Sequence, residues 1–125
     1  MKTLVKIKSI YDKPAPEDGC RVLVDRLWPR GMTREAAAVD EWAKELAPST
    51  DLRKWFGHSP ALWAGFQQRY KEELRKNETV APFVEAHRKD KLITLLYAAK
   101  DHEHNQAVVL HAYLQQVFDK AKDKE

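Results

Sequence analysis

The chain has 125 residues, of which 33% are charged and 43% apolar, and a formal net charge of +3. That length suits one domain with a real core, and the mild basic excess permits an anionic partner without demanding one. Four glycines outside any GxGxxG or P-loop arrangement argue against dinucleotide and ATP cradles, a single cysteine excludes an intrachain disulfide and a Cys-rich zinc site, and no apolar run approaches the ~20 residues of a membrane span.

The opening MKTLVKIKSI has no uninterrupted apolar stretch, so no signal peptide is expected and the protein reads as soluble and cytoplasmic. Leu4, Lys6 and Lys8 interleave with Val5, Ile7 and Ser9, the period of two that side chains follow along a strand. Residues 3–10 are therefore the first predicted strand. Residues 12–20, with Pro14, Pro16 and Gly19, form a loop. It is short for a helical crossover, so spacing alone leaves open whether the first two strands run parallel. Cys20 fits as a small residue beside a buried edge.

Residues 21–31, RVLVDRLWPRG, are the centre of the chain. Val22, Leu23 and Val24 make an apolar run too short for a helix and apolar on both faces, as in a strand covered on two sides. Alternation sends Asp25 to the side of Leu23 and Arg26 to the side of Val24. A lone buried charge is costly, so both must be paired or sit at the strand's mouth. Pro29 ends the pairing and Gly31 permits a sharp turn.

A helix is predicted over 33–46, capped by Thr33, with Val39, Trp42 and Leu46 on one face. Ser49 or Thr50 caps a short helix over 51–56 that Gly57 ends, with His58 a partner for its C-terminal dipole. Ser59 and Pro60 open the longest predicted helix, over 61–76, whose packing stripe is Leu62, Phe66, Tyr70 and Leu74, widened by Trp63. Thr79 starts a fourth helix with Val80, Phe83, Val84 and His87 inward. Residues 92–99, LITLLYAA, are the second strongly buried strand. The last helix runs over 104–120 with Ala107, Leu110, His111, Leu114 and Phe118 on its inner face, and the polar tail 119–125 is expected to fray. This order predicts a small, single-domain layered α/β fold with a central, mostly parallel sheet flanked by helices.

Open α/β sheets place their ligands at the carboxyl ends of the strands. If the strands at 22–24 and 92–99 lie side by side and parallel, one mouth offers Asp25, Arg26, Trp28 and Arg30. The other offers Lys100, Asp101, His104 and Asn105, where the last helix begins. A helix N-terminus and arginine forks together suit a carboxylate or phosphate. The turn from Ser49 to Arg53 adds a second helix start and a further cation. Asp101 beside His104 could orient it as a general acid or base. A metal site needs about three converging ligands, and His102, His104 and His111 do not supply that convergence, so none is assigned. No GxSxG elbow occurs. The sequence names no reaction, no cofactor and no oligomeric state.

RVLVDRLWPRG, followed by LAPSTDLRKWFGH, FQQRY and LLYAAKDHEHNQAVVL, resembles the YeaO-like family of bacterial proteins over nearly the whole chain. The family has no established function. The resemblance implies a cytoplasmic α/β domain with a central parallel sheet, and so a parallel pairing of the first two strands. It also implies that Asp25, Arg26, Trp28, Pro29, Arg30, Gly31, Ser49, Arg53, Tyr70, Tyr97, Lys100, Asp101, His104 and Asn105 match recurring family positions. Longer members of the wider superfamily are similar at the same two loops but carry a Cys-His-Arg run in the second. This chain has His104-Asn105-Gln106 there, so cysteine chemistry at that loop is not expected.

Three functions follow as expectations. The favoured one is a crevice that binds or processes a small anionic, phosphate-bearing ligand. The second is nucleic-acid binding, from the basic balance and from Trp28 beside two arginines. The third is a protein-interaction module with Trp55, Phe56 and Trp63 as an exposed aromatic patch.

Overall fold

The computed structural model describes residues 2–123. Four parallel strands form one sheet in the order β1-β4-β2-β3: β1 (Leu4–Ser9), β2 (Cys20–Leu23), β3 (Glu41–Trp42) and β4 (Leu92–Tyr97). The helices are α1 (Arg34–Ala37), α2 (Thr50–Phe56), α3 (Trp63–Lys76), α4 (Val80–His87) and α5 (Gln106–Asp123). An α/β fold built on a parallel sheet is thus observed.

Alternation along the strands divides the core. Val5, Val22, Val24, Ile93, Leu95 and Tyr97 face a large cluster with Phe56, Phe66, Tyr70, Leu74, Phe83, Leu110 and Leu114 from α2 to α5. Leu23 and Leu96 face the other way, onto Ile10, Ala37, Trp28 and Trp42. The second face is polar toward the strands' amino ends. There Arg21, 4% exposed, donates to Asp18 at 2.5 Å, and Lys8 reaches the same carboxylate at 3.0 Å. A buried charge needs such partners. The Asp18 carboxyl is pushed up by burial, yet the Ala15 N–H, Lys8 and Arg21 hold it below the ordinary carboxylate range.

Several expectations are corrected. β1 does not pair with β2: β4 lies between them, with Ser9 opposite Tyr97 and Leu23 opposite Leu96. The two strongly apolar runs, β4 and β2, take the two positions with neighbours on both sides. The helix predicted over 33–46 lasts one turn. Thr33 does cap it, accepting from the Ala36 N–H at 3.0 Å. Ala38 then turns left-handed (φ 48°), and Arg21 takes the Ala37 and Ala38 carbonyls at 2.7 and 3.1 Å. Asp40 and Ala43 donate their N–H groups to Arg21 and Leu23 carbonyls, and Glu41–Trp42 extends the sheet. A continuous helix would have left that edge of β2 without partners. The longest helix is α5, not α3, and residues 119–123 continue it, while residues 124–125 of the tail lie outside the described residues. Ser59 precedes a 3-10 turn (Pro60–Leu62) without a side-chain cap.

One glycine is demanded by packing. Gly19 sits at φ 64°, and a Cβ there would lie 2.5 Å from the Leu92 carbonyl oxygen.

Candidate functional site

A cavity of about 250 Å³ opens where the carboxyl ends of β2 and β4 meet the region around α2. Asp25 and Arg26 enter it from β2, Ala98 and Ala99 from β4, and Gln106 from the first residue of α5. Ala47, Pro48, Arg53, Phe56 and His58 come from α2 and its flanks, and Phe66 from α3. β2 ends at Leu23, so strand alternation no longer governs the next residues, and Asp25 and Arg26 line one cavity instead of opposite faces.

Asp25 is held at both oxygens. Oδ2 accepts from the Ala98 N–H at 3.0 Å, and Oδ1 accepts from the Gln106 amide. Its own carbonyl accepts from Trp42 Nε1 at 2.7 Å. Burial pushes the carboxyl up to about 6, and the Ala98 N–H, the Gln106 amide and the Arg53 charge offset only part of that. Near neutral pH this wall therefore carries a readily protonated acid.

Arg26 braces the facing wall, donating from Nε to the Pro48 carbonyl at 3.2 Å and from Nη2 to the Ala47 carbonyl at 3.1 Å. These acceptors are neutral, so its charge is not cancelled by an ion pair. The same segment is pinned by the Tyr70 hydroxyl, which donates to the Leu46 carbonyl at 2.5 Å. Complete burial pushes the Tyr70 phenol far above its ordinary value, so it stays a donor. Ser49 caps α2, its Oγ accepting from the Leu52 N–H at 3.1 Å and donating to Glu73 at 2.6 Å. One turn into α2, Arg53 stands at the cavity, exposed, and its guanidinium makes no hydrogen bond or ion pair among the described residues. Gly57 and His58 both adopt left-handed backbone, at φ 52° and 57°, which carries His58 back to the cavity. For a histidine that conformation is uncommon and occurs where surroundings impose it.

Of the predicted residues, Asp25, Arg26 and Arg53 come together, whereas Trp28, Arg30, Ser49, Lys100, Asp101, His104 and Asn105 do not line the cavity. Arg30 and Lys100 are exposed, and the Arg30 carbonyl accepts from the Tyr11 hydroxyl at 3.0 Å. Asp101 shapes the loop before α5: its Oδ1 accepts from the Glu103 and His104 N–H groups, and its Oδ2 lies 2.9 Å from His104 Nδ1. These bonds, the Glu103 N–H first, hold its carboxyl below the ordinary range. His104 packs edge-on against Trp63, which in turn packs on Phe56 and Phe66 of the cavity wall. Asn105, 1% exposed, donates to the Asp101 carbonyl and accepts from the Val108 N–H. His102 bonds the Tyr97 hydroxyl at 2.8 Å.

Sequence reasoning missed Gln106 and His58. Gln106 begins a helix whose start was placed two residues early, and His58 was read as a dipole partner. The bases for the other two functional readings are altered. Trp28 donates from Nε1 to the Met32 carbonyl, packs edge-on against Trp42 and has the Arg34 guanidinium over its ring, so it is not a free stacking platform. The expected aromatic patch does not form: Phe56 is buried, Trp63 is half-buried, and Arg69 lies over Trp55. Among the described residues no helix is long and apolar enough to cross a membrane.

A family model described as the inactive DUF488-N3 subclade matches residues 4–125. The chain is 42% identical over 110 residues to the uncharacterized protein YeaO of Escherichia coli (strain K12), covering 88% of this chain and 96% of that one. It is 41% identical over 80 residues to the uncharacterized protein Rv3073c of Mycobacterium tuberculosis (strain ATCC 25618 / H37Rv), covering 64% of this chain and 68% of that one. No solved structure matches.

Proposed function

The chain belongs to the inactive DUF488-N3 subclade, and from that premise we propose that it is a binding domain whose cavity takes a small anion with a short apolar body. The observation that carries this reading is the approach of two guanidiniums, Arg26 and Arg53, to one cavity in which neither is paired with a carboxylate. Guanidinium forks recognise phosphate and carboxylate in bidentate fashion. Phe56, Phe66, Pro48 and the alanines supply an apolar floor, and Gln106 and Asp25 supply polar rims. The volume lies below the ~300–1,000 Å³ of pockets for drug-sized ligands, so the ligand is small.

The family's description as inactive, and a loop built from Asp101, His104 and Asn105 bonded mainly to one another, support binding over turnover. Asp101 and His104 then serve to set the start of α5 and so the position of Gln106. A single cysteine suits a reducing compartment, and a cytoplasmic location is part of the proposal.

The test is a thermal-shift and calorimetric panel of inorganic phosphate, pyrophosphate, nucleoside monophosphates and short-chain carboxylates. At least one should raise the melting temperature of the wild type, and Arg53→Ala should remove that rise while Arg30→Ala and Lys100→Ala retain it. A panel without any shift, or a shift untouched by Arg53→Ala, overturns the reading.

A further inference from the structure

The parallel sheet has a second end, and a different chemistry gathers there. Cys20 is the first residue of β2, Glu41 the first of β3, His87 the last of α4, and Asp90 lies just before β4. Because β2, β3 and β4 run the same way, their amino ends bring these side chains together, away from the cavity at the carboxyl ends. One ligand atom each from Cys20, His87 and Asp90 lies within 4.8 Å of the others. His87 is 7% exposed, and its ring is packed against Phe83 at 4.4 Å between centroids, so its direction is fixed. Its Nδ1 lies 2.8 Å from Asp90 Oδ2, and its Nε2 lies 2.8 Å from Glu41 Oε1.

We propose that Cys20 Sγ, His87 Nδ1 and an Asp90 carboxylate oxygen form a binding site for a thiophilic divalent ion of the zinc class, with Glu41 accepting the His87 Nε2–H. The donor set decides the metal. Thiolate with imidazole selects borderline-soft ions, whereas magnesium and calcium demand oxygen donors throughout. Three protein ligands leave one tetrahedral position for water. A carboxylate on the second ring nitrogen is the usual device for fixing a ligating histidine in the correct tautomer, and Glu41 already stands in that place. Zinc distances of about 2.1 Å to nitrogen and oxygen and 2.3 Å to sulfur put tetrahedral donors about 3.4–3.6 Å apart. The His87 Nδ1–Asp90 Oδ2 pair, at 2.8 Å, therefore has to open by about 0.6 Å, and separations of up to 4.8 Å have to close by about 1.2 Å at most, within reach of side-chain rotation.

The local charge favours a cation. The carboxylates of Asp40, Asp90 and Glu41 stand near Cys20. Binding would release the thiol proton, and any proton held on His87 Nδ1, to solvent. It would also tie the two-residue strand β3, through Glu41, to α4 and to the start of β4.

The experiment uses tag-free, chelator-stripped protein titrated with cobalt(II), then with zinc. Cobalt should give a thiolate-to-metal charge-transfer band with tetrahedral d–d bands, zinc should displace it at one equivalent, and zinc should raise the melting temperature. Cys20→Ser, folded by circular dichroism, should lose the charge-transfer band and bind at least about 10-fold more weakly. Glu41→Gln should keep the band with affinity lowered about 10-fold or more, as for other outer carboxylates. His104→Gln should bind as the wild type. No band in the wild type, undiminished binding by Cys20→Ser, or binding abolished by His104→Gln would each overturn the assignment.

Discussion

The Asp25 carboxylate accepts the backbone N–H of Ala98 at 3.0 Å, joining the mouths of β2 and β4 through a single side chain. The bond spans two strands that already pair along their length, and it sits at the point where both leave the sheet. The same carboxylate receives the Gln106 amide, so the first residue of α5 is fixed to the same place. The cavity's polar wall is thus one connected unit, and its acid is raised by burial to about 6.

That shift makes stability depend on pH. In the unfolded chain an aspartate titrates near 3.8, so between that value and about 6 the native state holds a proton that the unfolded state has released. Stability from this group is present at acid pH and is lost as pH rises through about 6. About two pK units correspond to about 3 kcal/mol at neutral pH. Asp25→Asn should therefore be more stable than wild type by about 1–3 kcal/mol near pH 7.5 and lose that advantage near pH 4. Urea unfolding of both proteins across that range measures the difference, and a pH-independent difference would contradict the burial of the charge.

Arg21 and Asp18 form the buried pair beneath the second face, and Arg21 also holds the Ala37 and Ala38 carbonyls. Arg21→Ala should cost about 3–5 kcal/mol, because it leaves the buried Asp18 carboxylate with Lys8 alone to balance it and removes the donors to the Ala37 and Ala38 carbonyls. Arg21→Met combined with Asp18→Asn should cost clearly less than the single changes together, and a double-mutant cycle reads the coupling. Simple additivity would mean that the pair does not interact.

Gly19→Ala should cost about 2–4 kcal/mol. The backbone there is left-handed, and the new methyl would meet the Leu92 carbonyl, which β4 holds in place. A fall in the urea midpoint at unchanged slope is the expected signature.

Ser49, the cap of α2, and Arg53, one turn further on, separate structure from binding. Ser49→Ala removes the cap and the hydroxyl's bond to Glu73 while keeping the backbone one, and should lower stability by about 1–2 kcal/mol. Arg53→Ala should leave stability within about 0.5 kcal/mol, since the side chain is exposed and makes no hydrogen bond or ion pair among the described residues. Chemical denaturation measures both. Anion-induced thermal shifts should follow the opposite pattern, being lost with Arg53 and kept with Ser49.

Local patterns carried much of this fold. The alternation of Val5 and Ile7 with Lys6 and Lys8, the apolar runs at 22–24 and 92–97, the Ser49 cap and the Phe66, Tyr70, Leu74 stripe are all consequences of short-range periodicity, and each appears in the structure. What escaped was set by distant partners. Nothing within residues 33–46 announces that Arg21 will take the carbonyls of a good helical sequence, or that β2 needs Asp40 and Ala43 along its edge. The strand order escaped for the same reason, because it depends on which run most needs two covered edges. At the cavity, Asp25, Arg26 and Arg53 could be read from charge beside strand and helix ends. Gln106 and His58 could not, because the first depended on a helix boundary and the second on a left-handed residue. In the Cys20, His87 and Asp90 cluster, His87 and Asp90 stand one turn apart, but nothing in the sequence announces that Cys20 of the distant strand β2 joins them.

The placement of β4 between β1 and β2 governs how the molecule can be born. As the ribosome extends the chain, every helix but α5 emerges before the one segment to which β1 and β2 both hydrogen-bond. Leu4 must wait for Leu92, so the sheet assembles late and through contacts that span almost the whole polypeptide. Such topology slows folding, and nascent chains stalled before Leu92 will display two open strand edges to whatever chaperone meets them first.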